Sequence, residues 1–318
     1  MIEAKQLTKR FNDVVALDGL TTQIPEGTVY GLVGSNGAGK STLLRLMAGV
    51  YRADGGTLTI RQEPIYENPA LKAEMAFVSD ELYFLSQASL NRMSELYACA
   101  FDDFSRKRFN ELVTLFELDP KKRIATFSKG MRRQAALLLA LARRPRYLLI
   151  DEIFDGLDPV MRNIVRKLIY GDVCDRQATA IISSHSLREL EDTCDQLALL
   201  HQGRIIFESE MDDLQTGLSK MQLVFAEEQP DGAVQRQLHA AGLDPVKISQ
   251  LGKVTTVILD GAAEDLRARV NAATDPKPAF TEEISLTLEE VFTYKMEAFG
   301  YHTEEVLPDE EPNPSAVA

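Results

Sequence analysis

The stretch Gly34-Ser35-Asn36-Gly37-Ala38-Gly39-Lys40-Ser41-Thr42-Leu43 decides how the rest of the chain is read. Its first eight residues satisfy G-x-x-x-x-G-K-[ST], and the glycines let the backbone curl tightly enough to turn successive N–H groups toward phosphate oxygens. Lys40 is placed to bring a point charge to the β- and γ-phosphates, and Ser41 to offer a hydroxyl to Mg²⁺. Such a loop works only between a buried strand and the N-terminus of a helix, where orphan N–H groups and the helix dipole face the ligand. Both flanks are present: Thr28–Val33 is a short β-rich apolar run, and Thr42–Ala48 continues with helix formers up to Gly49. These flanks weigh against a plain glycine turn ahead of an ordinary helix. Gly34, Ser35, Asn36, Gly37, Ala38, Gly39, Lys40, Ser41 and Thr42 are therefore the expected phosphate-binding residues.

The 318 residues, 45% hydrophobic and 26% charged, predict a globular protein of about two domains. Apolar residues run uninterrupted no further than Ala135–Ala142, far short of the ~18–20 that a membrane-spanning helix needs. Glu3, Lys5, Lys9 and Arg10 break up any signal-peptide pattern at the start. Cys99, Cys174 and Cys194 form no C-x-x-C pair, so buried reduced thiols in a cytoplasmic protein are expected. A net charge of −13 disfavours nucleic acid as a partner, because a polyanion is repelled over most of the surface. After Thr303, acidic residues cluster with prolines and no basic residue, which predicts a disordered acidic tail over 301–318.

Alternating β-rich runs and amphipathic segments predict α/β architecture for the first two-thirds. Ile2–Leu7, Leu20–Ile24 and Leu58–Ile60 read as an antiparallel part, whereas Thr28–Val33, Tyr147–Ile150 and Thr179–Ser183 read as parallel strands buried on both faces. Residues 85–127 read as mainly helical, and Gln196–Leu200 with Arg204–Phe207 as a hairpin around His201-Gln202-Gly203. After Leu214 the order becomes β-α-β-β-α-β: Met221–Ala226, Ala233–Ala241, Val246–Ser249, Val254–Leu259, Ala263–Ala272 and Phe280–Leu286. That order predicts a small α+β domain of ferredoxin-like type. Thr287 and Glu290 form a capping box that opens a last helix.

A phosphate cradle alone says only nucleotide, so the discriminating residues lie downstream. Tyr147-Leu148-Leu149-Ile150-Asp151-Glu152 is an apolar strand ending in two carboxylates, with Asp151 suited to orient Mg²⁺ and Glu152 to polarise an attacking water. Before it stands Ser128-Lys129-Gly130-Met131-Arg132-Arg133-Gln134, followed by an Ala/Leu-rich helix to Arg144. With these residues in place the chain resembles the ABC ATPase family, over roughly residues 1–215. The resemblance implies that Ser128, Lys129, Gly130 and Met131 present a helix N-terminus to the γ-phosphate held by an opposite subunit. An isolated S-x-G before a helix is otherwise a plain N-cap.

The resemblance places three further roles. Gly156-Leu157-Asp158-Pro159 looks like the loop that crosses the dimer interface, with Asp158 at the nucleotide. His185, in Ile182-Ser183-Ser184-His185, takes the position of the histidine that contacts the γ-phosphate and holds water and Glu152 in register. Phe11 matches the aromatic that stacks on adenine, although a lone aromatic serves equally as core. The chain departs from the family's commonest form at Lys129 (glycine), Met131 (glutamine) and Asp80 (glutamine). A carboxylate at Asp80 can still ligand Mg²⁺, but it cannot donate a hydrogen bond and adds negative charge beside a triphosphate.

These matches imply an ABC ATPase cassette over 1–215 with a helical subdomain at about 81–143, an accessory domain over 216–300, and the tail. They imply catalytic roles for Glu152, His185 and Lys40, metal contacts from Ser41, Asp80 and Asp151, and ATP with Mg²⁺ as the bound species. The similarity to ATP-binding subunits of ABC-2-type bacterial exporters further implies a homodimer or heterodimer and a separately encoded membrane permease. It also implies a place on the inner face of the cell membrane through that permease. A soluble ABC ATPase serving repair, translation or assembly is the alternative, as is a regulatory nucleotide-binding module.

Overall fold

The computed structural model of the protein describes residues 1–261 and 263–298, so the tail expected over 301–318 lies outside the described residues. Contacts divide the chain into two units, Met1–Glu208 and a second beginning at Ser209.

The first unit opens with β1 (Ile2–Phe11), β2 (Val14–Ile24) and β3 (Val29–Val33), then α1 (Lys40–Met47), β4 (Gly55–Ile60) and β5 (Glu63–Pro64). α2 (Pro69–Ala73), β6 (Met75–Val78), α3 (Leu90–Ala100), α4 (Arg106–Leu115) and α5 (Lys129–Ala142) follow. Then come β7 (Tyr147–Asp151), α6 (Pro159–Arg176), β8 (Thr179–Ser184), α7 (Leu187–Glu191), β9 (Gln196–His201) and β10 (Arg204–Glu210), within whose last residues the boundary between the units falls. One sheet has the order β2-β1-β4-β5 and pairs its strands antiparallel. The other has the order β10-β9-β3-β8-β7-β6, and its strands from β9 to β6 are parallel.

The parallel strands β3, β7 and β8 are buried along their whole length, as continuous apolar runs with helices on both faces require. Tyr30, Leu32, Leu43, Leu44, Tyr147 and Leu149 join residues of the antiparallel sheet in one apolar cluster. Parallel pairing has a positional consequence. The register sets Val33 opposite Ser184, and Asp151 opposite Ser183, so the residues following β3, β7 and β8 emerge together at one edge of the sheet.

Helices α3, α4 and α5 pack on one another. Ser89, Ser105 and Ser128 cap them by accepting from Arg92 N, Arg108 N and Met131 N. Cys99, Cys174 and Cys194 are all free, but only Cys194 is buried. The expectation of three buried thiols is thus corrected: Cys99 and Cys174 lie on solvent-facing sides of amphipathic helices α3 and α6.

The second unit holds α8 (Met211–Thr216), β11 (Leu218–Val224), α9 (Ala233–Ala240), β12 (Lys247–Leu251), β13 (Val254–Asp260), α10 (Ala263–Ala273), β14 (Phe280–Ile284) and α11 (Leu288–Ala298). Its antiparallel sheet has the order β12-β13-β11-β14. Alternate residues Met221, Leu223, Val257 and Leu259 of the sheet pack against Val234 and Leu238 of α9 and Leu266 and Val270 of α10. Thr287 N donates to Glu290 Oε2 at 3.1 Å and Glu290 N to Thr287 Oγ1 at 3.2 Å, the reciprocal capping box read from the sequence.

Candidate active site

The glycine-rich loop leaves β3 at Val33 and enters α1 at Lys40. At Gly34 a Cβ would stand 2.2 Å from Leu200 O, so no other residue fits without moving backbone. Gly39, the N-cap of α1, has φ +112°, and a Cβ there would meet Ala16 O at 2.6 Å. Both glycines are therefore demanded by steric fit as well as by the curl of the loop. Lys40 is buried, and its Nζ donates to Gly34 O at 2.6 Å and to Ser35 O at 3.2 Å, which brings the ammonium inside the curl.

Asp151 ends β7 and Glu152 follows it, and Ser183 of neighbouring β8 holds both. Ser183 Oγ donates to Asp151 Oδ1 at 2.7 Å, and Glu152 N donates to Ser183 Oγ at 3.1 Å and Ser183 O at 3.2 Å. These bonds support a left-handed backbone at Glu152, φ +50°, which costs roughly 1 kcal/mol or more in a residue with a Cβ. Ser41 Oγ donates to Asp151 Oδ1 at 3.1 Å. Asp151 is fully buried and its second oxygen, Oδ2, has no hydrogen-bond partner. An orphaned buried carboxylate oxygen beside a serine hydroxyl fits a Mg²⁺ ion, which takes few protein ligands and completes its octahedron with water and phosphate.

Glu152 is bound at both oxygens: Oε1 lies 3.1 Å from Lys40 Nζ and Oε2 2.8 Å from His185 Nδ1. Burial pushes its carboxyl up, but the His185 hydrogen bond and the Lys40 charge outweigh burial and leave it below the ordinary glutamate value. The same hydrogen bond raises the His185 imidazole against the opposing effect of burial.

Other expected residues sit apart from this cluster. Phe11 is half-exposed at the end of β1, with Lys9 Nζ 5.3 Å from its ring and Tyr51 edge-on at 5.3 Å; Tyr51 carried no signal in the sequence. Ser128 and Lys129 are exposed at the start of α5, with Ser128 Oγ accepting from Met131 N at 3.2 Å. Asp158 is exposed and caps α6, its Oδ1 accepting from Met161 N at 2.9 Å. Asp80, expected as a metal ligand, instead has Oδ1 2.5 Å from the guanidinium of Arg133, a residue the sequence did not single out.

A glycine-bound phosphate loop, a buried aspartate beside its serine, and a glutamate held between lysine and histidine define a P-loop nucleoside triphosphatase. The family model described as ABC transporter matches residues 17–155. The ABC transporter ATP-binding protein YtrB of Bacillus subtilis (strain 168) is 28% identical over 93% of this chain and 98% of its own length. The daunorubicin/doxorubicin resistance ATP-binding protein DrrA of Streptomyces peucetius is 31% identical over 68% of this chain and 67% of its own. The dimeric structure of a bacterial ABC transporter cassette superposes with a TM-score of 0.59 over 66% of this chain and 99% of the cassette; at 20% identity it bears on the fold alone. The chain belongs to the ABC transporter family, as an ATP-binding and ATP-hydrolysing subunit. No helix among the described residues is long and apolar enough to cross a membrane.

Proposed function

We propose that this subunit dimerises around two Mg-ATP and drives a separately encoded exporter permease from the inner face of the cell membrane. The observation that carries the hydrolytic part is Glu152, with one carboxylate oxygen on Lys40 and the other on His185. A carboxylate so held is ionised and aimed, as a group that accepts a proton from water must be. Lys40 is the residue that passes to the β- and γ-phosphates when a triphosphate enters the loop, which frees the Glu152 oxygen it now contacts. His185 then keeps Glu152 in place and donates toward the γ-phosphate. Ser41 and Asp151 would hold Mg²⁺, which when bound neutralises charge on the phosphate oxygens. The Phe11 ring is the platform for adenine.

Ser128 through Met131 and Asp158 complete the site of an opposing copy. The exposure of Ser128, Lys129 and Asp158 supports this role, since a surface that meets a second subunit must be free in the first. The likeness to a cassette solved as a dimer, and to a relative named for drug resistance, favours a dimeric exporter subunit. Contact with the permease is assigned to a groove of about 330 Å³ lined by Val50, Tyr83, Phe84, Tyr97, Phe101 and Ala136. Tyr83, at 85% exposure, is an apolar ring awaiting cover.

Residues 1–215 are read as the cassette with its helical subdomain over 81–143, and 216–300 as a ferredoxin-like accessory domain. The β-α-β-β-α-β order and the antiparallel arrangement β12-β13-β11-β14 support the latter reading. Because α8 packs on β11 and α11, the segment from Ser209 falls with the accessory unit rather than with the cassette.

Glu152→Gln tests the proposal. It is expected to retain ATP, to lose turnover by about 10²-fold or more, and to run as a dimer with Mg-ATP in light scattering. Normal turnover would remove Glu152 from the role of base. A tagged chain that never co-purifies with an integral membrane protein would favour a soluble ATPase.

A further inference from the structure

The two departures at Asp80 and Lys129 are joined in space. Lys129 and Arg133 stand four residues apart on α5 and therefore share one face of the helix. Lys129 Nζ lies 2.9 Å from Asp155 Oδ2, and Arg133 Nη1 lies 2.9 Å from the same oxygen. Arg133 also donates to Asp155 O, and its Nη2 meets Asp80 Oδ1 at 2.5 Å. The Arg133 side chain is only 2% exposed, whereas those of Asp80 and Asp155 are 48% and 45% exposed. A buried guanidinium is tolerable only if its charge and donors are met, so these two half-exposed carboxylates are fixed to it. Lys129 first and Arg133 second hold the Asp155 carboxyl down at about 2. The same turn of helix touches the Asp155 loop through backbone, since a Cβ on Gly130 would come within 2.5 Å of Gly156 O.

We infer that Arg133 is a positioning residue that ties the Asp80 loop and the Glu152–Asp158 loop to the first turns of α5, so that these segments shift together. The inference deepens the function proposed above, because one of these loops carries Glu152 and the helix carries Ser128. Three consequences follow from the geometry. Asp80 is neutralised by Arg133 and brings no net negative charge to the triphosphate. Its carboxylate serves as an anchor and not as a Mg²⁺ ligand. Lys129 supplies a second cation to Asp155, which one shared guanidinium alone would satisfy less fully.

The test uses the full-length chain as Asp80→Asn, Arg133→Gln and the double variant, with two measurements. In amide hydrogen exchange without nucleotide, both single variants are expected to speed exchange in residues 79–85 and also in 153–158, although Asp80 lies in only the first segment. The double variant should exchange no faster than Arg133→Gln, because both changes break one contact. In steady-state hydrolysis, each variant should lose about tenfold in turnover with its half-saturating Mg²⁺ within about twofold of the parent.

Asp80→Asn sits on a half-exposed residue and so tests the tie even if Arg133→Gln fails to fold. The inference is overturned if Asp80→Asn leaves exchange in 153–158 unchanged, or raises the Mg²⁺ requirement by about tenfold at preserved maximal turnover. The exchange measurement needs no turnover, so a failed tie is distinguishable from failure of the hydrolytic reading.

Discussion

At the scale of single residues, the hydrolytic role proposed for Glu152 turns on how its carboxylate is held. Its carboxylate is partly desolvated, which alone would favour protonation, and it stays ionised because His185 and Lys40 stand on its two oxygens. His185→Ala leaves burial opposed by Lys40 only, so the Glu152 carboxyl must titrate at higher pH. The expected outcome is an acid limb of the kcat/KM profile, which reports the free enzyme, displaced upward in pH, measured from parent and variant side by side; coincident limbs would show that His185 does not tune Glu152. The raised imidazole carries a linked stability effect. Its contribution to folding is fully present below the ordinary histidine value and is lost as pH rises through the raised one.

Elements cooperate through a few buried polar side chains that bridge them. Arg143, just past the end of α5, is 4% exposed. It meets both carboxylate oxygens of Asp103 at 3.0 and 3.1 Å, the carbonyls of Met75 and Ala73 at 2.6 and 2.5 Å, and the Phe101 ring at 3.7 Å. It thereby ties the α3–α4 connection to α2 and the start of β6. Arg143→Ala would strip partners from two carbonyls and a carboxylate, at a cost of roughly 2–4 kcal/mol. Urea unfolding should show a lower midpoint at an unchanged slope, with their product reduced by that amount.

For the whole molecule, the proposal to test is that each ATP site draws on two copies. A preparation of Lys40→Ala has no competent phosphate loop, and one of Ser128→Arg has no competent signature, so each alone is expected to be inactive. Mixed dimers contain one site made from the intact loop of one chain and the intact Ser128 of the other. Mixing equal amounts should restore about a quarter of parental turnover if exchange is random and sites act independently. Mixtures as inactive as their components would refute shared sites in a homodimer.

Gly34 through Ser41 announced the tight glycine-rich loop between β3 and α1 because such a backbone curl has to be contiguous in the chain. The apolar strand ending in Asp151 and Glu152 was legible for the same local reason, as was the capping box at Thr287 and Glu290. Contacts that depend on packing left no such trace. Ser183 meets Asp151 only because β7 and β8 are parallel and in that register, and Arg133 reaches Asp80 across 53 residues. With 48 acidic and 35 basic side chains in the chain, nothing in their order selects which pairs form. The burial of Arg133 makes that choice, because an enclosed charge must take the carboxylates that the fold brings within reach.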